Sequence, residues 1–403
     1  QHDSFEETAM NKTIIKRIII IGAGKIGSTI FHFLGTLNSV HNTIIQLTLA
    51  DNNAAALVIS NNNNNNNTLL LPAPCDFDEI FNQHQFDAVI NAGPYSLSIP
   101  IAKAAYNNGL SYFDLTEDVA SCEFIQSLAN SPKADQVFMP QCGLAPGFIS
   151  ILARSLYDQF ETLESVQLRV GALPQFPTNQ MLYNLTWSTA GLVNEYCNLC
   201  LAIEQGEVVY QAALDSKEVF SLEGIKYEAF NTSGGLGTLP QTLAGNVEQL
   251  NYKTVRYPGH RDLMKFLLKD LKFQQVEMRE QLVKLLDTSI PMTTQDVVLI
   301  MVTVKGNIKS ELAKNTATFQ ALNNDNNSYQ QLTELRRIYH RTIDLPPLGE
   351  CDFSAIQICT AASLCAVIEL WLDNKLAQSG FISQESILLQ QFYQTHFGKY
   401  LMP

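Results

Sequence analysis

Residues 17–27 read Arg-Ile-Ile-Ile-Ile-Gly-Ala-Gly-Lys-Ile-Gly, and this run decides the fold. Ile18 to Ile21 form an unbroken β-branched stretch with no polar alternation. Such residues suit a pleated strand, and the lack of alternation predicts a strand buried on both faces, as in a parallel sheet. The glycines follow without a gap, and an apolar periodic stretch from Ile26 to Leu37 predicts a helix. Strand, glycine turn and helix in that order aim backbone amides and a helix N-terminus at a phosphate. Gly22 permits the tight turn, Gly24 lets a pyrophosphate approach, and Gly27 lets helix and strand pack, with Lys25 and Ile26 completing the loop. A second strand, Ile44 to Asp51, ends in an acid near the expected offset of ~20 residues. A carboxylate there binds adenosine ribose hydroxyls and repels a 2′-phosphate. The expected cofactor is therefore NAD, with NADP possible.

Working outward, Phe86 to Asn91 reads as another buried strand, and Asn91-Ala92-Gly93-Pro94 at its end is expected beside the nicotinamide ribose. A helix runs on through Ala105, and Ser111 to Leu115 and Gln136 to Met139 are further short strands. Strands alternating with helices predict an α/β fold, a doubly wound parallel sheet over residues 12–145. The tract Asn61 to Asn67 is low in complexity and is expected to be a solvated loop insertion. After Pro146 the alternation is lost. Val166 to Ala172, Glu207 to Tyr210 and Val297 to Val304 read as strands and Arg261 to Leu286 as a helix, which predicts an α+β domain over residues 146–350. Residues 351–403 hold an apolar helix, Cys359 to Leu372, a turn at Gly380 and a second helix from Gln384, expected to pack back on the first domain.

The whole chain has 403 residues, 46% hydrophobic and 16% charged, enough for two lobes with well-buried cores. A net charge of -13, with Lys and Arg scattered, argues against nucleic acid and against an anionic membrane surface. No apolar run is expected to reach the ~18 residues of a membrane span. Gln1 to Thr8 are polar and acidic, unlike a secretory signal. The eight cysteines lack scaffold spacing, so free thiols and a cytoplasmic location are expected. Cys197-x-x-Cys200 has no second ligand pair, and no metal site is expected.

Four stretches carry chemistry: Tyr112 to Asp118 (YFDLTED), Gln141 to Gly147 (QCGLAPG), Phe230 to Gly235 (FNTSGG) and Lys253 to His260 (KTVRYPGH). With the glycine loop and Trp187 to Tyr196 (WSTAGLVNEY), their order and spacing resemble the saccharopine dehydrogenase family along nearly the whole chain. The look is nearest to its lysine 6-dehydrogenase-like branch. The resemblance implies a Rossmann-type domain completed by the C-terminal end, an α+β substrate and dimerisation domain, and a homodimer. It also implies oxidoreduction at a carbon–nitrogen bond of a small lysine-derived amino acid with NAD(P). In family members the acid matching Asp114 and the Cys-Gly-Leu backbone line the substrate pocket, which carries those roles to Asp114, Cys142, Gly143 and Leu144.

The residues suggest chemistry of the same kind. A lysine ε-ammonium, pKa ~10.4, must lose a proton before hydride leaves the adjacent carbon. Asp114, at a strand's carboxyl end, is the first candidate to bind the ammonium and accept its proton. His260 is the second, because imidazole titrates near neutral pH. Arg256 is a candidate for the substrate α-carboxylate, or for an interdomain ion pair. Tyr257 reads as a substrate hydrogen bond or a packing residue. Thr232 and Ser233 sit in a glycine-rich turn that could close over the pocket. Glu117 and Asp118 read as helix caps or solvent-facing acids, Trp187 as core, and Glu195 as a dimer-interface residue. With Arg256 and Lys253 the evident cations, lysine fits better than tricarboxylate saccharopine. A carboxyspermidine-type polyamine adduct and a non-catalytic dinucleotide sensor or scaffold are the alternatives.

Overall fold

The isoleucine run forms the buried half of strand β1 (Ile14–Ile21), where alternate side chains enter opposite cores. Ile18 and Ile20 join Phe33 and Leu34 on one side, while Ile19 and Ile21 join Val89 and Tyr112 on the other. Burying each such side chain is worth about 1.5–3 kcal/mol, so the strand is apolar on both faces. The structure, a computed structural model, describes residues 14–37, 39–40, 43–58, 67–131, 136–309, 328–346 and 348–403.

Around β1 lie β2 (Ser39–Val40), β3 (Thr43–Asp51), β4 (Asn67–Leu70), β5 (Ala88–Asn91), β6 (Ser111–Asp114) and β7 (Val137–Met139). The spatial order is β4-β3-β1-β5-β6-β7, every pairing parallel, with β2 antiparallel on the start of β3. Sequence order reverses between β1 and β5, which opens a crevice at the carboxyl ends of those strands. The helix Lys25–Thr36 covers one face, and Phe77–His84 and Ser98–Asn108 cover the other. Of the asparagine tract, residues 61–66 lie outside the described residues. Asn67 opens β4, which the low-complexity reading had assigned to loop.

The second sheet is mixed, as expected of an α+β lobe. It contains β8 (Phe160–Pro174), β9 (Cys200–Glu204), β10 (Glu207–Gln211), β11 (Glu218–Leu222), β12 (Ile225–Asn231), β13 (Val247–Arg256), β14 (Asp296–Ile308) and β15 (Tyr329–Tyr339). Its order is β10-β9-β13-β8-β14-β15, with β12 on the far end of β13. β8 and β13 are parallel, in register Val170 to Thr254. The expected helix over 261–286 is broken. His260–Lys265 runs into a π-helical turn, Phe266–Asp270, and Val276–Ser289 starts anew after Lys272 adopts a left-handed φ of 63°.

A hairpin, β16 (Arg341–Asp344) and β17 (Glu350–Phe353), leads into the helix Ala355–Leu372. Its N-terminus is heavily satisfied. Ser354 and Gln357 form a capping box, and buried Asp296 accepts from Ala355 N at 2.5 Å and Ile356 N at 3.1 Å. By length and composition, with a mean hydropathy of 1.8, this helix could cross a membrane. The sequence expectation that no stretch would qualify is corrected on that point. In the structure it is buried between the helix Lys25–Thr36 and β14. The chain then returns to the first sheet, where β18 (Gly380–Phe381) adds in parallel to β7. The helix expected from Gln384 is only a 3-10 turn, Gln384–Ser386, before a short helix, Leu389–Gln394.

The glycine turn is built by close packing. Gly22 has φ +103°, and a Cβ on Gly27 would lie 1.8 Å from the Gly22 carbonyl oxygen. Neither atom can yield without moving the strand or the helix. Gly27→Ala is expected to lower stability by about 2 kcal/mol or more and to abolish NADH binding, read by thermal melting and NADH fluorescence titration. A variant that melts and binds like the parent would refute the packing argument.

Candidate active site

The crevice beyond β1 and β5 opens into a cavity of about 1230 Å³, counting its mouth. Turns after β5, β6 and β7 form one wall. The facing wall is the second sheet, through Val170 and Ala172 of β8 and Tyr252, Thr254 and Arg256 of β13. Their period of two presents one strand face to the cavity. The start of the helix Thr189–Cys197, with Trp187 before it, closes a third side.

The cofactor end fits a dinucleotide. A Cβ built on Gly24 meets no protein atom within 4 Å, so the loop leaves open space at the position where a phosphate must come close. Gly22 abuts the Ala92–Gly93 backbone and so brings the loop against the turn after β5. Asp51 Oδ2 accepts from Ala23 N at 2.6 Å and Oδ1 from Asn53 N at 2.8 Å, tying the acid to the loop. Asn91 accepts from Gly93 N at 3.0 Å and donates to Ser98 Oγ at 3.2 Å, stiffening the turn in which Asn91, Ala92, Gly93 and Pro94 line the cavity. Ile26 lines it too. Lys25 Nζ instead donates to the Thr186 carbonyl at 3.1 Å, joining the glycine loop to the second lobe, and burial lowers its pKa.

On the substrate side several expectations are revised. Asp114 is completely buried and does not line the cavity. Its carboxylate accepts from Tyr112 Oη at 2.6 Å, Gln141 N at 2.8 Å and Thr116 N at 3.1 Å, and burial pushes its pKa up to about 6. It has no face left for an ammonium; it ties together the two turns that form the wall. Cys142 is likewise turned inward, its Sγ 3.0 Å from the Met139 carbonyl and 3.2 Å from Gln384 Nε2. Burial raises its pKa well above the usual thiol value, while Gly143 and Leu144 do line the cavity. Thr232 and Ser233 sit behind the wall as buried supports. Ser233 N donates to the Glu195 carbonyl at 3.1 Å, and a Cβ on Gly234 would lie 2.2 Å from the Glu117 carbonyl oxygen. The turn does not cover the pocket. It seats two glutamates from beneath.

Those two glutamates are the acids of the cavity. Glu117 follows β6, and Glu195 lies within the helix Thr189–Cys197. Burial, then the nearby charges of Asp118 and Asp114, push Glu117 up to about 7. Burial, then the charge of Glu117, raise Glu195 well above the usual carboxylate range. Asp118 alone takes the capping role, accepting from Ser121 N at 2.9 Å. Trp187 packs against the core beside Tyr183 and Tyr196, as expected, and also lines the cavity.

Arg256 is the one cation among the described residues lining the cavity; it forms no ion pair with a described residue, and Glu195 acts on it only through its charge. Its Nε donates to Tyr196 Oη at 3.1 Å, Nη1 to its own strand at Val255 O, and its guanidinium lies 5.2 Å from the Tyr183 ring centre. Lys253 is elsewhere, donating to Glu218 at 2.9 Å. Tyr257 points away, with its hydroxyl donating to Pro174 O at 3.0 Å and its ring stacked on Tyr227. His260 is buried behind Arg256, not on the cavity wall. Burial and the Arg256 charge depress its pKa to about 3, which removes it as a base near neutral pH.

Family profiles cover both lobes. The saccharopine dehydrogenase NADP binding domain matches residues 18–138 and the saccharopine dehydrogenase C-terminal domain matches residues 143–399. The chain belongs to the saccharopine dehydrogenase family. The fold agrees with apo saccharopine dehydrogenase (L-Glu forming) from Saccharomyces cerevisiae, at 14% identity, 96% coverage of both chains and a TM-score of 0.69. It also agrees with the homospermidine synthase of Legionella pneumophila in complex with NAD, at 12% identity, 96% and 90% coverage and a TM-score of 0.58. Carboxynorspermidine synthase of Vibrio cholerae is 26% identical over 108 residues, which span 23% of this chain and 26% of that protein. The family's first lobe is an NAD(P) site, and the glycine loop here meets its packing demands.

Glu195 was readable in part: a glutamate inside the apolar helical run Thr189 to Cys197 is a buried charge that needs a reason. Glu117 carried no such signal beside Asp118. Folding raises the pKa of Glu117 from its ordinary 4.5 to about 7, so the native state binds its proton more tightly than the unfolded chain. Stability held below the ordinary value is therefore lost as pH rises through about 7. Glu117→Gln should gain in melting temperature over the parent progressively between pH 4.5 and 7 and hold that gain above pH 7. A pH-independent difference would refute the buried-acid assignment.

Proposed function

We propose that this protein is an NAD(P)-dependent oxidoreductase acting at a carbon–nitrogen bond of an amino acid with one carboxylate and at least one further basic nitrogen. The observation that carries this reading is one cavity wall bearing Arg256 in no ion pair with a described residue, together with two carboxylates, Glu117 and Glu195, of which the first raises the second. A buried cation without a partner costs several kcal/mol, which a substrate carboxylate offsets through charge-assisted, bidentate bonds. Two acids in one apolar site favour a basic nitrogen between them. Lysine and carboxyspermidine-type adducts both satisfy this charge pattern. Saccharopine, with three carboxylates, would leave two facing acids or solvent. The polyamine names among the relatives support the adduct as firmly as the motif resemblance supports lysine.

When bound, the nicotinamide accepts or returns a hydride. The chain's own residues do the rest. Arg256 orients the substrate by its carboxylate, and the Asn91–Pro94 turn fixes the edge of the crevice where the reacting carbon lies. Glu117, titrating near 7, takes the proton that the amine must lose before its C–H bond breaks. Glu195, whose carboxyl burial and the charge of Glu117 push upward, favours its neutral form more than an ordinary glutamate and so lowers the local negative charge. Asp114 is a positioning residue, because both turns of the wall hang from its carboxylate.

Absorbance at 340 nm with NAD or NADP and lysine, saccharopine or a carboxyspermidine-type substrate tests the activity. Turnover is expected with a monocarboxylate amine, with kcat rising through about pH 7 and that limb lost in Glu117→Gln. Arg256→Ala should raise KM about 100-fold, from the loss of charge-assisted bonds worth 1.5–3 kcal/mol each. No turnover alongside ordinary NADH binding would favour a dinucleotide sensor. Asp51 at the ribose end supports NAD over NADP, despite the name of the matching family profile. NADH is expected to bind at least ~10-fold more tightly than NADPH, since a phosphate dianion meets a carboxylate. Tighter NADPH binding in a fluorescence titration would reverse that assignment.

A further inference from the structure

His260 is sealed in a box of aromatic rings, with Tyr183 at 5.0 Å, Tyr196 at 5.9 Å and Phe230 at 6.5 Å between centroids. Both of its nitrogens are occupied. Nδ1 lies 3.3 Å from the Met181 carbonyl and Nε2 lies 3.1 Å from Tyr196 Oη. A carbonyl only accepts, so Nδ1 carries the proton and donates. In the neutral ring Nε2 is then an acceptor, and the Tyr196 hydroxyl must donate to it. That leaves the Tyr196 oxygen to accept from Arg256 Nε, at 3.1 Å. Each polarity along the chain from Met181 to Arg256 is therefore set by its neighbour. The turn that carries the histidine is fixed as well. Buried Glu228 accepts from Gly259 N at 3.1 Å and from Arg261 N at 2.7 Å, on either side of it.

We propose that His260 is a positioning residue for carboxylate recognition, acting through Tyr196 to hold the Arg256 guanidinium in its gripping orientation. This rests on Arg256 being the substrate-carboxylate site. The choice of a neutral acceptor has a physical reason. A carboxylate in the place of His260 would orient Arg256 equally well but would neutralise it, and the substrate would then compete with a protein anion. An imidazole that stays uncharged directs the guanidinium and leaves its charge for the ligand. It also prevents Tyr196 from turning its hydroxyl hydrogen toward the arginine.

The test compares lysine with cadaverine, its decarboxylated analogue, as ligands of the NADH-loaded full chain by calorimetry. His260→Phe should weaken lysine about tenfold, roughly one hydrogen bond to a charged group, with cadaverine changed less than ~2-fold; His260→Gln, whose amide oxygen can accept from Tyr196, should recover most of the loss. Tyr196→Phe should match His260→Phe, and the double variant should be no worse than either single one, because all three break the same link. The midpoint of the kcat–pH profile should stay put in every variant. Equal losses for both ligands, full lysine affinity in Tyr196→Phe, or additive losses in the double variant would each overturn the proposal. Should His260→Phe not fold, His260→Gln and Tyr196→Phe decide by the same ratio. Arg256→Ala separates the two levels of inference. If it weakens lysine and cadaverine equally, or the parent binds neither, the carboxylate reading falls and takes this one with it. If Arg256→Ala weakens lysine selectively and the His260 and Tyr196 variants do not, only the role of His260 falls.

Discussion

The Asp114 carboxylate is the constraint on which the cavity depends. It sits at the carboxyl end of β6 without access to water, and its acceptors are all used by the protein. Through Thr116 N it shapes the turn that carries Glu117. Through Gln141 N it holds the start of the loop that presents Gly143 and Leu144. A buried carboxylate with several hydrogen bonds is costly to leave unsatisfied, so both turns are locked in the geometry that satisfies it. Tyr112 completes the set from the same strand, two residues back. Moving one turn would strand a lone pair that serves the other.

The charges of the cavity follow a different rule from those of Asp114. There the protein leaves groups incompletely compensated: Arg256 has a tyrosine, an aromatic face, its own backbone and the more distant charge of Glu195, but no ion pair among the described residues. Glu195 sets the repulsion of Glu117 against the attraction of Arg256, and Glu117 has Asn194 as a hydrogen-bond partner against the charges of Asp118 and Asp114. Such arrangements cost native stability and are tolerated where a ligand supplies the missing charge. The second lobe carries Arg256 on a long mixed sheet and Glu195 on a capped helix, while Glu117 rides on the turn after β6 that Asp114 holds; these are rigid supports that resist collapse of the site when it is empty.

The first lobe was legible because its signals are local. A β-branched run, three glycines and an acid at the end of the next strand specify one turn geometry, and Gly22 and Gly27 meet the contacts that geometry demands. Asn91 to Pro94 were readable for the same reason. The substrate side was harder because its motifs mix wall residues with the residues behind them. In Lys253 to His260 two side chains in eight reach the cavity, Thr254 and Arg256, while Lys253 pairs, Val255 enters a core, Tyr257 stacks and His260 braces. Strand alternation explains part of that, but the packing of Tyr257 on Tyr227 and the burial of His260 depend on partners distant in sequence. Asp114 misled for a related reason. A polar residue at a strand's carboxyl end reads as a ligand contact, and only the positions of Gln141 and Thr116 turn it inward.

The late strand β18 gives the chain an unusual order of assembly. Residues 380 and 381 pair with 137 and 138, so the edge of the first sheet is finished by a segment made after the entire second lobe. The helix Ala355–Leu372, which packs on the glycine-loop helix, arrives equally late. During synthesis the nucleotide lobe therefore emerges first, yet it waits with an open sheet edge and a bare apolar helix face until the last part of the chain returns. Such a nascent lobe is a natural client for a chaperone that shields exposed apolar surface. Its cofactor loop, braced by the returning helix, becomes fully supported only when the rest of the chain is already present.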